Sequence, residues 1–400
     1  MAKKQESIVS ILRKVRSADF VIVLLVLALV LFGTVMVFSA SYYRSINTTG
    51  SPYGYLKKQV VFVITGFIIL YVVSILDYHI WKKFAIPVML LSLGLLVLVL
   101  VAGTTVAGGQ RWIGVGPITI MPGEIAKIAV IIFAAYFFAD DPDRIRSLKR
   151  GILPMVFLGG LVAGLIVLQP NLSTAMTVLG ILVAVLFIAG LDVRYIYGLV
   201  IVGAAGIAGI CLFGQSYQRK RITSFLDPFA DPQGDGFQVV QSLLALGTGG
   251  LFGKGLGKSV QKNLYLPEPQ NDFILAIIGE ELGFVAIVLL MAFFMLLIWR
   301  CCRVAMDAPD RFGMLLSGGV AAMIGLQVIM NVAVVTSSMP PTGIALPFIS
   351  YGGNSLWLTM GAVGLVLSVS RQIPDKQPEE KIKREHRSGR KQRRKRESLA

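Results

Sequence analysis

An all-α integral membrane fold of about ten transmembrane helices, with a long extracytoplasmic loop between helices 7 and 8, follows from three features of the sequence. Of its 400 residues 55% are hydrophobic and only 15% charged, with mean hydropathy +0.73, which leaves too few polar residues to cover a water-soluble globule. Apolar runs of about 18 to 25 residues recur from Asp19 to Arg371, long enough at about 1.5 Å per residue to cross a hydrocarbon core of about 30 Å. Lys and Arg, finally, collect in alternate loops.

The runs fall at 19–40, 58–76, 84–102, 124–139, 152–169, 172–190, 194–213, 272–299, 312–335 and 346–370. The first is too long for a signal-peptide core and lacks a convincing small-residue cleavage site, so a retained helix is expected. Lys3, Lys4, Arg13, Lys14 and Arg16 precede it; Lys82 and Lys83, then Arg144, Arg146, Lys149 and Arg150, then Arg300 and Arg303, then the tail recur on the same side. The positive-inside rule puts these loops and both termini in the cytoplasm, and segments 41–56, 103–123, 214–271 and 336–345 outside. One membrane domain, 19–371, is expected between a cytoplasmic segment 1–18 and a basic, disordered tail 372–400, with no fixed-period repeat.

The formal net charge of +16 is concentrated at the ends: residues 371–400 hold twelve Lys and Arg against five acids. A cluster such as Lys391, Arg393, Arg394, Lys395 and Arg396, directly after a last membrane helix, suits anionic lipid or a solvated tail rather than nucleic acid. Three cysteines, Cys211, Cys301 and Cys302, cannot build a disulfide framework and read as packing residues. The two histidines, His79 and His386, leave no basis for a Ser-His-Asp triad or a His-rich metal site, so carboxylates must do any acid or base work.

Segment 214–271 is too long to be a mere connection, and loops of that length in compact folds are usually functional. Within it Phe237, Val240, Leu243, Leu244 and Leu246 have a helical period, with Gln238, Gln241 and Ser242 as a polar side, which predicts a short helix at the interface. Two look-alikes are set aside as turn chemistry. Gly255-Leu256-Gly257-Lys258-Ser259 lacks the first glycine and preceding strand of a phosphate loop; Asp231 to Gly236 lacks the twelfth-position Glu of a calcium loop, Ser242 standing there.

Ionisable residues at membrane depth are costly and are therefore functional candidates. Glu124 and Lys127 open the fourth helix three residues apart, on one face, as an internal ion pair or as substrate ligands. Asp272 starts the eighth. Glu280 lies within about 80° of its direction at about 100° per residue, whereas Glu281 points away, so the two acids are not expected to share a role. Arg111 and Trp112 are an interfacial belt pair or an anion clamp.

Arg219, Lys220, Arg221, Lys254, Lys258 and Lys262 precede Pro267-Glu268-Pro269-Gln270-Asn271-Asp272, which puts cations beside a carboxylate at the water-lipid boundary. Such a set suits an enzyme that holds a lipid-linked phosphate or pyrophosphate while a base takes a proton from a hydroxyl. A pyrophosphate leaves as a stable anion, so charge neutralisation and one base suffice where a glycosidase needs a second carboxyl.

Ser259-Val260-Gln261-Lys262, Tyr265-Leu266-Pro267-Glu268, Asp272-Phe273-Ile274 and Ala276 to Gly283 resemble the SEDS family, the shape, elongation, division and sporulation proteins. Pro341 to Gly353 is similar to its second signature, and Arg111-Trp112, Pro122 with Glu124 and Lys127, and Gln169-Pro170 fall where its shorter motifs lie. The resemblance runs from the first helix to the tenth and is closer to the FtsW and SpoVE branch than to RodA. It implies a peptidoglycan glycosyltransferase that polymerises lipid II through β-1,4 bonds with release of undecaprenyl pyrophosphate, at the division septum or in sporulation.

By the same resemblance Asp272 is the base, with inversion at the donor carbon. Arg111, Lys127, Arg221, Lys254 and Lys262 are candidates to hold pyrophosphate, Glu124 and Glu268 to orient them or the sugars, Trp112 to bind substrate beside Arg111, and Ser350, Tyr351, Gly352 and Gly353 to shape the cavity. A class B penicillin-binding transpeptidase is the implied partner, beside lipid II, the nascent glycan strand and other division or sporulation proteins. Asn171 and Asn354 depart from the family pattern, where an acid and a serine are usual. No ligand spacing demands a metal, although a Mg²⁺ or Mn²⁺ ion is compatible with carboxylates and pyrophosphate.

Two rival readings remain. A lipid II flippase would also place Glu124, Lys127 and Glu280 within a ten-helix bundle, but it needs a path across both leaflets, and the densest polar cluster is on the outer side alone, without a convincing inverted repeat. A non-catalytic division scaffold would not need Asp272 within a full signature.

Overall fold

The computed structural model describes residues 18–106, 109–115, 118–213, 225–234, 236–341 and 343–374. Its helices are α1 (Phe20–Thr49), α2 (Gly54–Ile75), the short α3 (His79–Lys83), α4 (Ala85–Ala102), α5 (Pro122–Asp140), α6 (Leu153–Val167), α7 (Leu172–Ile188), α8 (Val193–Phe213), α9 (Phe237–Gly249), α10 (Ile274–Asp307), α11 (Arg311–Val335) and α12 (Gly353–Gln372). Among the described residues eight helical segments are long and apolar enough to cross a membrane: α1, α2, α4, α5, Leu148–Val167 containing α6, α10, α11 and α12. The other two expected runs form α7, of 17 residues, and α8, of 21.

α5, α11 and α12 form the interior of the bundle, and their spans are the most buried, at 61%, 67% and 72% of the membrane window against 22% for α2 and for α10. The exposed apolar side chains of α2, such as Ile64, Ile68 and Tyr71, are the surface a lipid tail would cover. Asp19 starts the bundle as the N-cap of α1, accepting from the Val21 and Ile22 amides.

Three boundaries differ from the sequence expectation. α1 continues past position 40 to Thr49, into the segment expected as an outer loop. The run 346–370 is helical only from Gly353, because Leu346 to Tyr351 fold into turns. Segment 103–123 contains a three-stranded antiparallel sheet, β1 (Thr104–Val106), β2 (Gly109–Val115) and β3 (Ile118–Ile120), with Thr104 opposite Trp112 and Ile113 opposite Ile120. β-Branched residues in a segment outside the membrane runs favour strands there.

α10 is broken where the sequence predicts a continuous helix. Gly283 has φ 82° and ψ −177°, a conformation that side chains strongly disfavour. The carbonyls freed by the break accept from the loop after α9: Lys254 N donates to Glu280 O at 3.0 Å and Gly255 N to Glu281 O at 2.9 Å. The freed amides of Phe284 and Val285 donate back to Gly250 O and Leu251 O at 2.9 and 3.1 Å. Broken helix backbone within a membrane protein needs such replacement partners.

The expected short helix exists as α9, but Ser242 is not on its solvated side. It is fully buried, and its hydroxyl donates to the carbonyl of Val335 at the end of α11, 2.9 Å away. A helix-terminal carbonyl without an intrahelical partner rewards that burial.

Candidate active site

Antiparallel connection brings the C-terminal ends of α1, α4 and α11 and the N-terminal ends of α2, α5, α7, α10 and α12 to one end of the bundle, and every described candidate residue lies there. Asp272 stands in the turn before α10 rather than in its first turn, because Pro267, Pro269 and the left-handed backbone of Glu268 (φ 50°) delay the helix until Ile274.

That turn is bound to the second signature loop by backbone and side chains together. Asn331, fully buried on α11, donates through Nδ2 to the carbonyls of Asp272 (2.8 Å) and Ile344 (2.7 Å). Ser350 Oγ donates to Asn271 O at 2.6 Å and accepts from Leu346 N at 2.8 Å, while Tyr351 N donates to Gln270 O at 2.9 Å. The Asp272 carboxylate lies against Gly343: a methyl group at that glycine would sit 3.2 Å from Oδ2. The Tyr351 ring packs on Tyr55 and Phe62, with centroids 5.0 and 6.1 Å away. Burial, with a smaller contribution from Tyr55, holds its hydroxyl above the ordinary phenol range, so it stays neutral. Gly352 and Gly353 lead into α12, and Asn354 ties that entrance to β3 by donating to Thr119 O at 2.6 Å.

Glu268 binds Arg44 of α1 directly and accepts from Gln270 Nε2 (3.1 Å) and Asn271 Nδ2 (2.9 Å). Its role is therefore partly internal, orienting the strip that carries Asp272. Neither Arg44 nor Asn331 stands out in the sequence. A lone arginine at the outer end of the first span is the available signal for Arg44; nothing marks Asn331.

Glu124 and Lys127 form the ion pair that i, i+3 spacing allows, 2.7 Å apart, with side chains 12% and 5% exposed. Arg111 in β2 donates through Nε to Gln169 O at 3.2 Å and through a terminal nitrogen to Pro170 O. Two of its five N–H groups thus clamp the turn before α7, where Asn171 caps the helix by accepting from Thr174 N. Trp112 is half-buried beside it, its carbonyl accepting from Thr104 Oγ1.

Lys254 and Lys262, expected as bare cations, are already neutralised. Lys254 Nζ is 2.8 Å from Glu280 and Lys262 Nζ 2.7 Å from Glu281, and both carboxylates are fully buried. Glu280 also accepts from Ser259 Oγ (2.5 Å) and the amides of Val260 and Gln261; Glu281 accepts from Ser39 Oγ of α1 at 2.8 Å. The expectation that the two acids differ in role is corrected as well. Segment 254–262 wraps the helix, so each acid holds a different part of one loop against α10. Burying a carboxylate without such partners is prohibitive. Arg221, with Arg219 and Lys220, lies outside the described residues, as do 1–17 and the basic tail. Glycines 253, 255 and 257, all with positive φ, and the Asp231 turn, where Gly234 N donates to Oδ1 at 3.0 Å, are turns as expected. Among the described residues no cluster of three or more His, Cys, Asp or Glu could hold a metal ion.

A family model described as "Cell cycle protein", FTSW_RODA_SPOVE, matches residues 19–374. The chain is 41% identical over 366 residues to a protein of Geobacter sp. (strain M18) named "Probable peptidoglycan glycosyltransferase FtsW", covering 90% of this chain and 99% of that one. It is 41% identical over 360 residues to "Stage V sporulation protein E" of Bacillus subtilis (strain 168), covering 90% and 98%. Among solved structures it resembles a chain of a peptidoglycan synthase complex described as coordinating polymerization and crosslinking, with TM-score 0.74 and 32% identity over 90% of this chain and 99% of that one. The rod shape determining protein RodA of Thermus thermophilus superposes with TM-score 0.66 at 30% identity over 90% and 98%. The chain belongs to the FtsW, RodA and SpoVE family of cell cycle proteins.

Proposed function

We propose that this chain is a peptidoglycan glycosyltransferase of the cell membrane that polymerises lipid II. One relative is named a probable peptidoglycan glycosyltransferase FtsW and another a stage V sporulation protein, and the likeness to both supports a role in division or sporulation. The observation that carries the mechanistic reading is the clamping of the Asp272 turn onto the 343–351 loop through Asn331, Ser350 and Tyr351. A base held on rigid backbone at one end of the bundle, rather than on a free loop, meets the geometric need of proton abstraction.

In the step we propose, Asp272 accepts the proton of the acceptor sugar hydroxyl as the oxygen bonds to the donor anomeric carbon. The carbon–oxygen bond to pyrophosphate breaks with inversion, and undecaprenyl pyrophosphate leaves with the bonding pair. Arg111, which has three N–H groups beyond its two carbonyl contacts, and Lys127, with two beyond Glu124, serve the departing anion. Lys254 and Lys262 act through the loop they pin, and Arg44 takes a place beside Glu268. A Mg²⁺ or Mn²⁺ ion on the pyrophosphate would add to this neutralisation.

In this arrangement the Asp272 end is outside and both termini are cytoplasmic, with a class B penicillin-binding transpeptidase as partner to cross-link the product. Its test is polymerisation of labelled lipid II by the purified chain with that transpeptidase. Asp272→Ala should abolish strand formation; folded Asp272→Ala that makes strands as long as wild type refutes the assignment of the base.

A further inference from the structure

At the end of the bundle opposite Asp272, a cavity of about 380 Å³ opens where α1 begins and α10 and α12 end. Along α10 this is roughly 40 Å from the catalytic turn, at about 1.5 Å per residue from Ile274 to Arg303. Asp19, Phe20, Arg300, Arg303 and Ser370 are among the residues that line it. Its charges are not equivalent. Asp19 is engaged by Arg300 at 2.7 Å and by the first turn of α1, and Asp307, also in the wall, is likewise engaged. Arg303 is exposed and makes no ion pair among the described residues, and Arg300 Nε is shielded from solvent without a hydrogen-bond partner.

Both guanidinium groups lie over the ring of Trp299, at 5.8 Å for Arg300 and 5.3 Å for Arg303. An indole 48% exposed with cations about it is the side-chain set of a membrane interface. The mouth is apolar: Phe20 is 73% exposed and Val21 37%. We infer that this cavity holds the phosphate group of a phospholipid in the leaflet opposite Asp272, with Arg303 as its donor and the acyl chains along Phe20 and Val21. The volume falls in the usual range of small-ligand sites, about 300 to 1,000 Å³.

The test is native mass spectrometry of the full-length protein in detergent, titrated with dioleoyl phosphatidylglycerol and, in competition, with inorganic phosphate. One lipid per chain should be retained. Arg303→Gln should weaken the lipid's binding in the titration at least about tenfold, the effect of one charge-assisted hydrogen bond. Arg146→Gln, a change at an 85% exposed side chain elsewhere on the same end, should leave it unchanged. Size-exclusion profile and thermal midpoint identify a folded Arg303 variant, and Trp299→Phe, which keeps the helix face apolar, should also weaken retention. Equal occupancy in wild type, Arg303→Gln and Trp299→Phe overturns the site, as does an equal loss in Arg146→Gln. Displacement of the lipid by millimolar inorganic phosphate overturns its assignment to a lipid, because the cavity would then be a site for free anions.

Discussion

Asn331 holds two signature loops with one amide group: its Nδ2 reaches the carbonyl of Asp272 at 2.8 Å and that of Ile344 at 2.7 Å. Because the residue is fully buried, truncation leaves two carbonyls short of a donor, that of Ile344 in a buried bond and that of Asp272 in a part-buried one. Asn331→Ala should cost about 1–3 kcal/mol of stability. It should lower polymerisation at least about tenfold, the penalty of misplacing a base. Thermal unfolding and strand synthesis on the same preparation check both; unchanged synthesis would show that the clamp does not position Asp272.

Gly343 makes a narrower prediction. Its φ is 77°, and a methyl group added there would stand 3.2 Å from Asp272 Oδ2, so Gly343→Ala strains the backbone and displaces the carboxylate. Activity should fall more steeply than the melting temperature. A variant with full activity and a lowered melting temperature would place the defect in the backbone alone.

The Lys262–Glu281 pair predicts a non-additive cycle. Both side chains are sealed, at 4% and 0% exposure, so removing one partner leaves an uncompensated charge. Lys262→Met and Glu281→Leu should each destabilise by about 3–5 kcal/mol, and the double variant by much less than their sum. Denaturation midpoints in one detergent measure the cycle. Additive losses would contradict a direct pair.

Gly283 is the residue on which the broken helix turns. At its φ of 82° a side chain would collide with Gly253 N and Leu251 O. Gly283→Ala should destabilise strongly, by more than the roughly 1–3 kcal/mol of backbone strain alone. Limited proteolysis of the 249–262 loop should accelerate, since that loop pairs with the break. Wild-type resistance would mean that the helix can straighten without releasing it.

Hydropathy makes the membrane helices legible, and motif spacing makes the Asp272 strip and the 341–353 loop legible, because both depend on local runs of residues. What escapes depends on contacts between distant segments. Ser39, Arg44 and Asn331 are ordinary polar residues in apolar helices until the fold brings Glu281, Glu268 and two loop carbonyls to them. The cations Lys254 and Lys262 read as ligands because the sequence does not display that Glu280 and Glu281 lie opposite them. Leu346 to Tyr351 is apolar enough to pass for helix, and only the hydrogen bonds of Ser350 and Tyr351 to the 270–271 strip reveal the turns.

Asp272→Asn decides whether Asp272 is the base of the polymerising step. The amide keeps the shape of the side chain and leaves the backbone carbonyl available to Asn331, so lipid II binding and chemistry can be measured separately on one protein. Binding should persist within about threefold, while single-turnover bond formation falls by about 10²–10⁴, the contribution of a general base. Bond formation at the wild-type rate by folded, lipid-II-bound D272N would contradict the assignment.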